Sequence, residues 1–263
     1  MNYGLYSAYL GMRARQRTLE TIANNIANAS TSGFKGDRLF HHSIEQAEAA
    51  LLRVPGTKGS DGNNATNANE ASALNRVFGL MSGGVTDFAP GVFRETGRPL
   101  DVALDGEGFL VVQTPRGERY TRAGALTIDA AGQLVTQRGE LVVGDSGPIT
   151  VRQGKGELNI GADGSVSADG QTVGKLKVVR FNDARAALTK EGDSLFMTTG
   201  KEPPQEANNT RVVQGALELS NINVVTEMAT MLHNSREFDS LQRSVTLLMN
   251  DIGRKVATEI GRV

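Results

Sequence analysis

"ANNIANASTSGFKG", residues 23–36, decides how the chain folds. Upstream of it Leu5, Met12, Leu19 and Ile26 recur at heptad spacing, and Ala8, Ile22 and Ala29 follow three residues later in the same frame. That pattern predicts an amphipathic helix with a coiled-coil-like stripe. Arg15 interrupts its companion row. The quoted stretch then stops the helix. Asn28 and Ser30 compete for backbone hydrogen bonds, and Gly33 accepts a left-handed turn. No acid, thiol or histidine lies within it. The stretch is therefore read as a structural device: its small residues allow close approach, and its amides both donate and accept.

The other end of the chain repeats the pattern. Val224, Met231, Phe238, Val245 and Ile252 keep heptad spacing, with Met228, Met249 and Val256 as companions and Leu241 and Leu248 widening the stripe. Ser235 and Gln242 interrupt the companion row. The helix is expected to begin after "SNIN", 220–223, to run to Lys255 or beyond, and to span on the order of 50 Å.

Between the helices the period falls to that of strands. "LDVAL", "FLVVQT", "RYTRAG", "ALTID" and "LVT" are separated by the turns "DGEG", "PRGE" and "AAGQ". Further strands are expected in "PITV", "ELNI", "SVSA", "KLKVVRF", "SLFMTT" and "TRVVQGAL", with one short helix near 183–188. Residues 55–75, rich in Gly, Asn, Ser and Ala, read as a flexible loop.

Of 263 residues, 39% are hydrophobic but only 5% aromatic, which predicts a core of aliphatic side chains. The net charge of −1 gives no electrostatic reason to expect nucleic acid or an anionic membrane. With no cysteine, disulfides, thiol nucleophiles and thiolate metal sites are excluded. The opening residues lack the basic head, apolar run and cleavage site of a secretory signal. No stretch approaches the roughly 20 apolar residues of a membrane span.

Motifs that suggest chemistry have simpler explanations. "DGEGF", 105–109, lacks the following helix that holds a phosphate, so it is a turn. "GADGSVSADG", 161–170, fits two Asp-Gly turns better than a calcium loop. His41 and His42 have no third metal ligand beside them. "RARQR", 13–17, sits inside the helical stripe and reads as a solvated or intersubunit face. No catalytic, cofactor-binding or metal-ligating residue is assigned.

"NNIANASTSGFK", 24–35, resembles the N-terminal signature of the flagellar basal-body rod and hook protein family. The matching positions are Asn25, Ala27, Asn28, Thr31, Gly33, Phe34 and Lys35. "ELSNINVVTEMATMLHNSREFDSLQ" is similar to that family's C-terminal signature, and 98–136 to its β domain. "RPLDVAL" and "GPITV" point to the proximal-rod branch, with the distal-rod branch next. The resemblance implies a non-enzymatic axial subunit of the periplasmic rod, exported without a cleaved signal. Its partners would be other rod subunits and the flagellar type III export apparatus, with no cofactor, nucleic acid, small-molecule substrate or direct membrane insertion. A hook-like subunit and a secreted β-rich adhesin are the alternatives.

The expected fold class is α+β: a discontinuous, coiled-coil-like helical domain from both termini with an inserted all-β domain. Its divisions are 1–35, an extended linker 36–97, the β domain 98–215, and 216–263. The expected assembly interface comprises Leu5, Met12, Leu19, Ile22, Asn25, Ile26, Asn28, Gly33 and Phe34. From the C-terminal region it adds Asn221, Val224, Met228, Met231, Phe238, Val245 and Ile252.

Overall fold

The computed structural model describes residues 2–41, 82–151, 158–207 and 209–260. The expected loop at 55–75 lies outside them. Helices stand at both ends of the chain and the middle is β-rich, an α+β organisation. The chain divides into two compact units, residues 1–26, 37–85 and 224–263 in one, 27–36 and 86–223 in the other.

The first unit holds the terminal helices, α1 (Asn2–Ala27) and a later helix, Val224–Ile260. α1 ends at Ala27, inside the amide-rich stretch, and the later helix starts directly after "SNIN". Arg15 hydrogen-bonds Asn234 Oδ1 at 2.9 Å and pairs with Glu237 at 2.9 Å. A Cβ on Gly11 would lie 3.9 Å from Leu241. Lower numbers thus face higher ones, and the helices run antiparallel. Arg15, the break in the N-terminal stripe, is one of the residues that join them. A two-stranded ribbon of Asp37–His41 and Ser82–Thr86 completes the described part of this unit. No described helix is long and apolar enough to cross a membrane.

In the second unit the segment "FLVVQT" forms the strand Phe109–Thr114, flanked by Gly117–Thr121 and Leu141–Gly144 in a ten-stranded sheet. Side chains alternate across a strand. Leu110 and Val112 join an aliphatic cluster with Val102, Leu126, Leu134 and Val142. Phe109 and Val111 join a second cluster with Tyr120, Phe181 and Phe196. Cores on both faces explain the unbroken apolar run. The second cluster corrects the expectation of a purely aliphatic core: five of the thirteen aromatic residues, Phe88, Phe109, Tyr120, Phe181 and Phe196, gather there, with Tyr120 edge-on to Phe181 at 5.1 Å.

The short helix α2, Ala184–Ala187, falls where expected, capped by Asp183 accepting from Arg185 and Ala186 N–H. The long C-terminal helix is therefore α3. "PITV" is only partly a strand: Gly147–Pro148 pairs with Leu141–Gly144, while Ile149 and Val151 are buried beyond it. A three-stranded sheet, Leu158–Ile160, Ser165–Ala168 and Gln171–Lys175, and two short ribbons, Arg211–Gln214 on Val102–Asp105 and Ala216–Glu218 on Phe93–Glu95, complete the described part of the unit. The latter pair carries Glu218, around which the site below is built.

Candidate assembly site

The signature loop is held by a buried carboxylate. Lys35 Nζ donates to Glu218 Oε1 at 2.5 Å and to Ala89 O at 2.8 Å. Arg122 donates to Glu218 Oε2 at 3.1 Å and to the carbonyls of Leu104 and Gly106. Gly91 N–H adds a further bond to Glu218 Oε1 at 2.9 Å. All three charged side chains are buried, Lys35 and Glu218 to 1% exposure. Buried charges persist only when paired and hydrogen-bonded. Here two cations share one carboxylate. Burial lowers the pKa of Lys35 against the opposing pull of Glu218, and Arg122 adds a like-charge contribution. Arg122 is lowered for the same leading reason.

The rest of the signature supports this arrangement. Gly33 donates its N–H to Glu218 O at 2.8 Å. Its φ is 67°, and a Cβ there would lie 2.3 Å from Ala123 N and Arg122 C, so only glycine fits. Phe34 is buried with Lys190 Nζ 4.1 Å from its ring centroid, and that ammonium also donates to Lys35 O.

Two amides act as staples. Asn25 Nδ2 donates to Asp37 O at 2.9 Å while Asn25 Oδ1 accepts from Asp37 N at 3.0 Å. Asn221 Oδ1 accepts from Gly36 N at 2.9 Å, and its Nδ2 donates to Asp87 O at 2.7 Å. Each amide satisfies backbone groups outside regular pairing. Asn25, Gly33, Phe34 and Asn221, expected at an interface between subunits, thus make these contacts inside the chain.

The helical residues behave differently. On α1, Ile22 is buried and Met12, Leu19 and Ile26 are half-buried, as is Asn28 just beyond. On α3, Val224, Phe238 and Val245 are half-buried, and Met228 and Met231 are exposed. The side chains of Leu5 and Ile252 lie outside the described residues. Val225, Leu232 and Leu247 are 77%, 62% and 70% exposed. The heptad reading passed over these three because Val225 and Leu232 fall one place after its main row and Leu247 falls two places after Val245. Glu218 was missed as well. Its partner Lys35 is 183 residues away, and only its position just before the "SNIN" stop hinted at a role.

Helices at both ends, a β-rich middle and a signature loop locked to the last strand define a class, the axial subunits of the bacterial flagellum. The family comparisons agree segment by segment. Residues 5–35 match the flagella basal body rod protein family. Residues 103–168 match the flagellar hook protein FlgE/F/G D1 domain, and 213–247 the flagellar basal body rod FlgEFG protein C-terminal family. The flagellar basal-body rod protein FlgF of Caulobacter vibrioides is 33% identical over 264 residues, covering 100% of both chains. FlgF of Escherichia coli is 33% identical with 97% of each chain covered. FlgG of Bacillus subtilis is 32% identical over 92% of this chain and 93% of its own. The chain belongs to the flagellar basal-body rod protein family, with FlgF-type relatives matching it along its whole length and FlgG-type relatives next. It is a structural subunit of the basal-body rod, not an enzyme, and it assembles with other rod subunits.

Proposed function

We propose that this chain is a proximal-rod subunit that polymerises through α1 and α3 into the tubular shaft that transmits torque and encloses the export channel. The observation that carries this is the surface of α3. Apolar side chains at 225, 228, 232, 247, 248 and 249 stand exposed on one helix. A helix with so much exposed apolar surface is stable in water only when something covers it. In a rod, the helices of neighbouring subunits do so, in coiled-coil fashion. On this reading the terminal helical domain, 1–35 with 216–263, is the assembly element, and the β domain of 98–215 is inserted between its two parts in sequence. Interface residues are Met12, Leu19, Ile22 and Ile26 on α1 and Val224, Met228, Met231, Phe238 and Val245 on α3, with Leu5 and Ile252 extending the stripes and Asn28 at the turn. Asn25, Gly33, Phe34 and Asn221 shape the ends from which those helices spring. The subunit lies in the periplasmic part of the basal body and is delivered by the flagellar type III export apparatus.

A distal-rod role is the second reading, favoured by the similarity to FlgG of Bacillus subtilis. The test is complementation of strains lacking one or the other subunit. Swimming restored only in the strain without FlgF, with the chain recovered in its basal bodies, supports the proximal reading. Restoration only in the strain without FlgG moves the assignment to the distal rod, and absence from basal bodies in both removes it.

A further inference from the structure

The site at Glu218 is unequal in charge. Lys35 and Arg122 bring two positive charges to it and Glu218 brings one negative. Asp87 also attracts Lys35, and Glu107 also attracts Arg122, but each is the weakest influence on its cation. Three pieces of chain meet here: the signature loop 31–36, the segment 87–91 and the strand Ala216–Glu218. The charge inequality makes their departures unequal too.

If the loop leaves, Lys35 becomes hydrated and its acceptors stay satisfied. Glu218 keeps Arg122 on Oε2 and Gly91 N–H on Oε1. Ala89 O keeps Asn221 Nδ2 at 3.3 Å. One cation then faces one carboxylate, a balanced pair. The strand keeps its own pairing with Phe93–Glu95, and Leu219 N–H stays on Val92 O at 2.9 Å. If instead the strand leaves while the loop stays shut, Lys35 and Arg122 remain buried without their shared carboxylate. Arg122 Nε already has no hydrogen-bond partner among the described residues. Unpaired buried charges cost far more than a matched pair. Gly33 N–H loses Glu218 O as well, and Gly36 N–H loses Asn221 Oδ1 three residues further on.

The loop is built to move. Gly33 and Gly36 bracket its two buried side chains, Phe34 and Lys35. One half-buried side chain clasps it: Lys190 lies over the Phe34 ring and donates to Lys35 O at 2.6 Å. We propose that residues 31–36 are a latch that opens by itself while Glu218 and Arg122 stay paired, and that the strand Ala216–Glu218 comes free only after the latch has opened. The matched rod segment, 5–35, ends inside this loop at Lys35. In a rod subunit the latch lets the end of that segment rearrange without releasing the C-terminal strand. This use rests on the rod-subunit reading, whereas the order of opening does not.

Native-state hydrogen exchange on the purified full-length chain tests the order. Gly33 and Gly36 N–H report the loop, and Leu219 N–H reports the strand. At low urea the loop amides should exchange at least about tenfold faster than Leu219, through an opening that urea hardly affects because it exposes little surface. Equal rates with one shared urea dependence overturn the latch, and so does a strand amide faster than the loop amides. Lys35→Met keeps the balanced pair, so Leu219 should stay within about threefold of its wild-type protection. Glu218→Gln keeps the shape but removes the counter-charge, so loop and strand amides should both lose protection by more than about tenfold. A loss at Leu219 in Lys35→Met as deep as in Glu218→Gln overturns the order. Should Glu218→Gln fail to fold, the wild-type and Lys35→Met profiles decide alone. Failure of the complementation test removes the use in a rod and leaves the order of opening standing.

Discussion

The strand Ala216–Glu218 and the helix α3 are almost adjacent in sequence and live in opposite surroundings. Every residue of the strand is buried. Along α3, Asn234 is the one buried side chain among the described residues. The strand's carboxylate binds two cations and a backbone amide within the chain. The helix leaves Val225 and Leu247 with most of their surface open. The difference separates two duties of one C-terminal signature. On the proposed reading, its first part completes the subunit, and its second part is left for other subunits to cover.

The largest effect expected from breaking this contrast is at Glu218. Glu218→Ala leaves Lys35 and Arg122 buried without their counter-charge. Removing one partner of a buried ion pair costs about 3 to 5 kcal/mol. Urea unfolding followed by tyrosine fluorescence should show that loss in full. A loss under about 1 kcal/mol would mean water reaches the cations, and the strand would no longer count as part of the closed core.

Next comes a matched pair of phenylalanines. Phe196 is fully buried, 5.2 Å from Phe88 and 5.7 Å from Phe109. Phe196→Ala should destabilise the monomer by about 3 to 5 kcal/mol. Phe238 is only half-buried in the single chain. Phe238→Ala should cost the monomer about 1 kcal/mol, as a part of the full burial value, yet sharply reduce recovery in sheared basal bodies. Equal losses in the two monomers would erase the distinction between subunit core and assembly surface.

How much of this was legible in sequence follows from how far each signal reaches. Heptad spacing located both helices, because a stripe repeats along a single element. "FLVVQT" announced a strand for the same reason, while its burial on both faces emerged only in the folded chain. The strand Leu141–Gly144 was passed over, since "LVVG" is short and lies among turn residues. Phe93–Glu95 was missed because all three of its residues are exposed and carry no alternation. The signature lysine was recognisable, but its meaning was not. Nothing local to Lys35 points to Glu218, and burial of a charge is a property of the folded chain. The turn at Asp193–Ser194 escaped because its second residue is not the glycine that would have marked it.

A smaller effect tests whether the turn after α1 belongs to the closed or the open region. Asn28 is half-buried, its carbonyl accepts from Thr31 N–H at 3.0 Å, and Thr31 Oγ1 reaches its Oδ1 at 3.4 Å. Asn28→Gly keeps the carbonyl and the permitted backbone angles but deletes the amide. The monomer should change by a few tenths of a kcal/mol. If the amide bonds to a neighbouring subunit, each lost contact costs about 1 to 3 kcal/mol in the assembly. Swimming and basal-body recovery at normal levels would place Asn28 with the chain-closing staples.

The smallest effect is the pH dependence of the closed region. Burial lowers the pKa of Lys35 below its ordinary 10.5, so between the folded and ordinary values the unfolded chain binds the extra proton. Stability therefore rises with pH through that window, because unfolding takes up a proton. Tyr120 acts in the opposite sense. Burial raises its pKa above 10.0, so above that value the unfolded chain gives up its proton first and stability falls as pH rises. Lys35→Met should remove the rising part of the alkaline profile and leave the falling part, and Tyr120→Phe should do the reverse. Both variants should be followed in urea at closely spaced pH values, reading the slope and not the absolute stability, which each substitution also shifts. α3 has no comparable buried lysine or tyrosine among its described residues, so its helicity should not follow either slope. A rising part that survives Lys35→Met would show that the lysine keeps an ordinary affinity for its proton, and that Glu218 balances both cations despite their burial.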